Sequence, residues 1–80
     1  MKNIFVVGSG IMGSGIAQIC AQAGYKVCLM DVNDQMLQKA IKTIEWSLNK
    51  MEEKKILKDK ADIIFSRIKF KIKPNKWVEN

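Results

Sequence analysis

The chain has 80 residues, 48% of them hydrophobic and 28% charged, which fits a folded unit shorter than the usual domain of roughly 100–200 residues and argues against a disordered chain. Fourteen Lys and Arg against eight Asp and Glu give a net charge of +6, and the sequence holds no histidine to shuttle protons near neutral pH. Two cysteines, Cys20 and Cys28, are too few for a disulfide framework and lack metal-ligand spacing, so buried reduced thiols and no metal site are expected.

The first predicted element is a strand. Ile4-Phe5-Val6-Val7 is a continuous apolar run that stops at Gly8, the pattern of a parallel strand buried on both faces. Gly8, Gly10, Gly13 and Gly15 interrupt the apolar residues after it, so the start does not read as a secretory signal. No apolar run reaches the ~18 residues that would suggest a membrane span. A folded, cytoplasmic chain is expected. From Ile11 to Ala23 the spacing predicts a helix with Met12, Ile16, Ile19, Cys20 and Ala23 as its apolar positions, and Gly24 is its stop. Val27-Cys28-Leu29-Met30 is a second apolar run, ending at Asp31. Strand, helix and strand in about 30 residues make one βαβ unit with a right-handed crossover.

Asn33 or Asp34 can cap a further helix, whose stripe is Leu37, Ala40, Ile41, Ile44, Leu48 and Met51. After a break near residues 56–59, Ala61, Ile64, Phe65 and Ile68 repeat the helical spacing more briefly. The period then switches to two: Ile68, Phe70 and Ile72 alternate with Lys69, Lys71 and Lys73, a strand with one wet face that Pro74 ends.

Gly8-Ser9-Gly10-Ile11-Met12-Gly13 matches G-x-G-x-x-G in the context a dinucleotide site needs: after a strand, opening a helix, and followed by an acidic residue at the end of the next strand. Asp31 lies 18 residues beyond Gly13, close to the ~20 expected. Gly8 permits the tight turn, Gly10 lets backbone N–H groups approach a pyrophosphate, and Gly13, helped by Gly15, lets the helix pack against the sheet. The helix N-terminus suits a phosphate anion. Asp31 can accept hydrogen bonds from ribose hydroxyls and would repel a 2′-phosphate, and neither Val32 nor Asn33 offers a cation in compensation; NAD is favoured over NADP. A tight turn with a helix-capping aspartate is the competing reading. The expected fold class is α/β, a partial Rossmann fold with a three-stranded parallel sheet in the order 3-2-1 and a helical excursion between strands 2 and 3.

Residues 4–31, IFVVGSGIMGSGIAQICAQAGYKVCLMD, closely resemble the start of the NAD-dependent 3-hydroxyacyl-CoA dehydrogenases, 3-hydroxybutyryl-CoA dehydrogenases among them. The run GSGIMGSGIAQ, with AGYKV and the aspartate at fixed offsets, is more specific than the glycines alone, and the likeness continues through DVNDQMLQKAIKTIEWSLNKMEEKKI. The resemblance implies oxidation of a 3-hydroxyacyl-CoA to the 3-ketoacyl-CoA with hydride passed to NAD, in fatty acid or butyrate metabolism. It assigns the cofactor to Gly8, Ser9, Gly10, Ile11, Met12, Gly13 and Asp31. It also implies that the helical excursion touches CoA through Ser47 and Lys54. Seven residues is close to two helical turns, so Lys50, Lys54 and Lys55 beside them suit phosphates or form an ordinary solvated lysine face.

Residues 1–80 then read as the N-terminal half of an NAD-binding domain, without the family's catalytic histidine and its glutamate partner. No catalytic residue is assigned, and the chain alone is expected to be catalytically silent. Strand 1 becomes an open edge, suited to a second copy or a complementing fragment. The alternative is a stand-alone nucleotide-binding or interaction fragment. The basic second half has charge for a nucleic-acid backbone, but alternating lysines also guard edge strands, and no nucleic-acid motif accompanies them. No nucleic-acid or membrane partner is expected.

Overall fold

The computed structural model describes residues 3–72. Strand β1 (Asn3–Val7) leads through the glycine loop to helix α1 (Ile11–Gln22), then to β2 (Lys26–Asp31), the long α2 (Asp34–Glu53), the short α3 (Ala61–Ser66) and β3 (Ile68–Ile72). The strands form one parallel sheet in the order β1-β2-β3, which is the partial Rossmann arrangement expected from the alternating strand and helix signals. Ile4 pairs with Val27 and Val6 with Leu29; on the other side Val27 pairs with Ile68 and Leu29 with Phe70. Pro74 and Trp77 lie outside the described residues.

This register puts Ile4, Val6, Val27, Leu29, Ile68 and Phe70 on one face of the sheet, since side chains alternate along each strand. All six belong to the core that the helices complete. From α2 come Leu37, Ala40, Ile44 and Leu48, all buried at helical spacing, and from α3 Ala61 and Ile64. The stripe read from the sequence for α2 is therefore its core face, with Ile41 and Met51 at its half-buried margins.

One expectation fails in an informative way. β1 is not buried on both faces: Phe5 is 68% and Val7 65% exposed, because the helices of the described residues all pack on the opposite face. On α1 the buried positions are the small ones, Ser14, Ala17 and Ala21, while Met12, Ile16 and Ile19 face outward. Small side chains let α1 lie close to α2 and the sheet, so the helix buries its slim face rather than its bulky one. Cys20 and Cys28 are half-buried and unpaired.

The ends of the helices are tied by side chains. Asn33 caps α2, its Oδ1 accepting from the Met36 N–H at 3.1 Å. Arg67 donates to the Ala21 carbonyl at the end of α1 (2.8 Å) and to Asp59 (3.0 Å). Glu52 accepts from the Ala61 N–H (2.9 Å), holding the start of α3 against the end of α2. Lys55, just past α2, has φ +59, in the left-handed region.

Candidate nucleotide site

The carboxyl ends of β1 and β2 lie side by side, and the glycine loop leads from β1 into α1 while bonding to the end of β2. Gly8 has φ +99, a conformation that favours glycine. Its N–H donates to the Met30 carbonyl at 2.7 Å, which fixes the turn to the end of β2. Ser9 follows, 3% exposed. Its backbone N–H and its hydroxyl both donate to Asp31 Oδ2, at 2.7 and 2.6 Å, while the Asn33 N–H donates to Oδ1 at 2.9 Å. The Ser9 hydroxyl, followed by the Asn33 and Ser9 amides, holds the Asp31 carboxyl below the usual carboxylate range, and partial burial opposes this only in part. The predicted pairing of Asp31 with the mouth of the loop is therefore a direct contact.

Gly10 is the N-cap of α1 and supplies no side-chain cap, and no acidic residue occupies the first turn. The Ser14 hydroxyl bonds back to the Gly10 carbonyl (2.9 Å) and does not reach the leading amides. The side chains of Ile11 and Met12 stand out in solvent, and a Cβ at Gly10 would meet nothing within 4 Å. Open amides at a helix N-terminus with bare space in front of them fit a diphosphate. Gly13 is the point of contact: a Cβ there would collide with the Gly8 carbonyl oxygen. Gly15 does not share this role, contrary to the sequence reading. A Cβ on it would meet nothing within 4 Å, and it lines a groove of about 210 Å³ between α1 and α2. Two residues along a helix turn by about 200°, so Gly13 and Gly15 cannot both face the sheet.

That groove brings Ser47 toward the loop, since Ser9, Gly10, Gln18 and Ser47 all line it. Ser47 is half-buried, and its hydroxyl accepts from Gln18 Nε2 at 3.0 Å. Lys54 stands apart. It is the exposed C-cap residue of α2, about 10 Å further along the helix axis. Lys50 between them lies 3.9 Å from Glu53 and 5.9 Å from the Trp46 ring, so one cation of the proposed face already has local partners.

A family model described as "3-hydroxyacyl-CoA dehydrogenase, NAD binding domain" matches residues 3–80. The chain belongs to this family. The human mitochondrial hydroxyacyl-coenzyme A dehydrogenase is 46% identical over 55 residues, covering 69% of this chain and 18% of that protein. Among solved structures, (S)-3-hydroxybutyryl-CoA dehydrogenase from Ralstonia eutropha is 34% identical with a TM-score of 0.82, over 91% of this chain and 26% of that one. The 3-hydroxybutyryl-CoA dehydrogenase from Escherichia coli is 31% identical with a TM-score of 0.79, over 86% and 15%. The chain thus spans about a quarter or less of these relatives.

As an NAD-binding domain of the 3-hydroxyacyl-CoA dehydrogenase family, the chain has NAD as its cofactor. Two residues that organise the site escaped the sequence reading in their actual roles. Gln18 lies inside the motif run, yet its bridge to Ser47 spans 29 residues of sequence. Ser9 occupies a variable position of the glycine pattern, and only the fold reveals that its hydroxyl is spent on Asp31.

Proposed function

We propose that this chain supplies the adenosine and diphosphate half of the NAD site of a 3-hydroxyacyl-CoA dehydrogenase that works on (3S)-3-hydroxyacyl-CoA in fatty acid or butyrate metabolism. The observation that carries the proposal is the contact of Asp31 with the glycine loop, Ser9 N–H to Oδ2 at 2.7 Å, beside the open first turn of α1. In this reading the N–H groups of Ile11, Met12 and Gly13 receive the diphosphate, Gly8 and Gly10 keep side chains out of its path, and Asp31 orients the ribose. NAD supplies the hydride acceptor. Ser47 and Lys54 contact CoA, Ser47 from the groove and Lys54 from the open end of α2.

By themselves residues 1–80 are catalytically silent, because they contain no histidine to take the hydroxyl proton. Activity requires a proton acceptor from outside these residues, and strand β1, with Phe5 and Val7 exposed on its bare face, supports association with a complementing fragment or a second copy. The same surface favours the second reading, a non-catalytic interaction fragment that still binds nucleotide. Two cysteines held as thiols support a cytoplasmic location.

Titration of the chain with NAD tests the proposal. Saturable binding that weakens at least tenfold in Asp31→Ala is expected, in line with loss of a charge-assisted hydrogen bond; equal affinity in both would remove the ribose assignment. NADH absorbance with 3-hydroxybutyryl-CoA, in the presence of a fragment carrying a histidine, separates a complemented enzyme from an interaction module.

A further inference from the structure

We infer that Gln18 is a positioning residue for the CoA contact, whose amide fills a lone pair of the Ser47 hydroxyl and so leaves Ser47 to act as a hydrogen-bond donor toward an oxygen of CoA. This rests on the proposed contact of Ser47 with CoA.

A serine inside a helix commonly spends its proton on a carbonyl three or four residues back. Ser14 does so toward Gly10 at 2.9 Å, and Ser66 toward Ile63 at 2.6 Å. Ser47 makes no such bond among the described residues; the partner of its hydroxyl there is Gln18 Nε2, which donates to it at 3.0 Å. The amide is itself held from both sides. Gln22 Oε1, one turn along α1, accepts from the same nitrogen at 3.1 Å, and the sulfur of Met51, one turn beyond Ser47 on α2, lies 3.6 Å from it. A thioether can only accept, so Met51 and Ser47 together set the nitrogen end of the amide toward α2. A hydroxyl carries one proton and two lone pairs. With Gln18 donating to a lone pair, the proton of Ser47 points elsewhere, and the groove between α1 and α2 lies beside it. Without that donor the hydroxyl is free to turn back onto a carbonyl of its own helix, as in Ser14 and Ser66, and its proton is lost to CoA. The hydrogen bonds of Gln18 reach no residue assigned to NAD.

NMR titration of the isotope-labelled chain with 3-hydroxybutyryl-CoA and, separately, with NAD tests this in the parent, Gln18→Met, Ser47→Ala and the double variant. Each single variant is expected to lose on the order of tenfold in affinity for the acyl-CoA. The double variant should lose no more than Ser47→Ala alone, because Gln18 acts through Ser47, and Gln18→Met should bind NAD as the parent does. A parental acyl-CoA affinity in Gln18→Met, with Ser47→Ala weakened, would overturn the inference and leave the CoA assignment standing. Additive losses in the double variant would overturn it too, as would a matching loss of NAD affinity in Gln18→Met, which marks a general disturbance of α1. In the parent alone, the side-chain amide signals of Gln18 should shift on saturation with the acyl-CoA; unmoved signals would overturn the inference whether or not a variant folds. An unchanged acyl-CoA affinity in Ser47→Ala would overturn the CoA assignment itself, and this inference with it.

Discussion

Within the glycine loop, neighbouring residues of one type have opposite constraints. Gly13→Ala would drive a methyl group into the Gly8 carbonyl, so a loss of about 1–3 kcal/mol in urea unfolding is expected from overpacking, together with weaker NAD binding as the turn shifts. Gly15→Ala meets open space inside a helix and should instead stabilise by up to about 1 kcal/mol. The two denaturation midpoints should therefore move in opposite directions. Lys55, at φ +59, carries a Cβ where the backbone suits glycine, and Lys55→Gly should add roughly 1 kcal/mol. For Asp31, whose hydrogen bonds keep it ionised below the usual carboxylate range, the contribution to stability is full above the unfolded-state pKa and is lost as pH falls through the folded value. NAD binding should accordingly persist on acidification until that lower range is reached. The spacing of the glycines was enough to read this loop and its aspartate. It did not reveal the partner of each glycine, because 8, 10, 13 and 15 look alike as letters and differ only in the direction their missing Cβ would take.

Among the elements, α1 shows where periodicity misleads. Its helical spacing runs through Ile16 and Ile19, yet Ala17 and Ala21 are fully buried while Ile19 stands outside. Helical spacing defines stripes; which stripe turns inward depends on how closely its neighbours approach, and that is a tertiary property. α2 was legible because most of its apolar residues occupy one stripe against a polar and charged remainder, although Met36 and Trp46 stand exposed outside it. β3 was legible because Lys69 and Lys71 alternate with Ile68 and Phe70. The connections between elements were not, since Arg67 reaches the Ala21 carbonyl across 46 residues of sequence. Arg67→Ala removes that bond and the pairing with Asp59, and should cost about 1–2 kcal/mol in thermal or urea unfolding. A Lys at this position should recover only part of it, having one point of attachment in place of a fork.

For the molecule as a whole, the sheet is covered on one face among the described residues. Phe5 and Val7 are exposed on the bare face of the edge strand β1, and Ile16 and Ile19 on the outer side of α1. Sedimentation velocity should show mass rising with concentration, and Phe5→Lys should shift the chain toward monomer without altering its NAD affinity. The general fold was readable from the sequence since βαβ chirality and strand order follow from few rules; the extent of the open surface was not, because an apolar strand reads the same whether or not its second face is covered. The seam between β1 and β2 has one more consequence. Gly8 is bonded to Met30 and Ser9 to Asp31, so the loop that meets the dinucleotide is also the clasp between two neighbouring strands. Saturation with NAD should slow solvent deuterium uptake not only at the loop amides but along the paired strands behind them, and at a hundredfold excess over Kd it should raise global stability by about 2.7 kcal/mol.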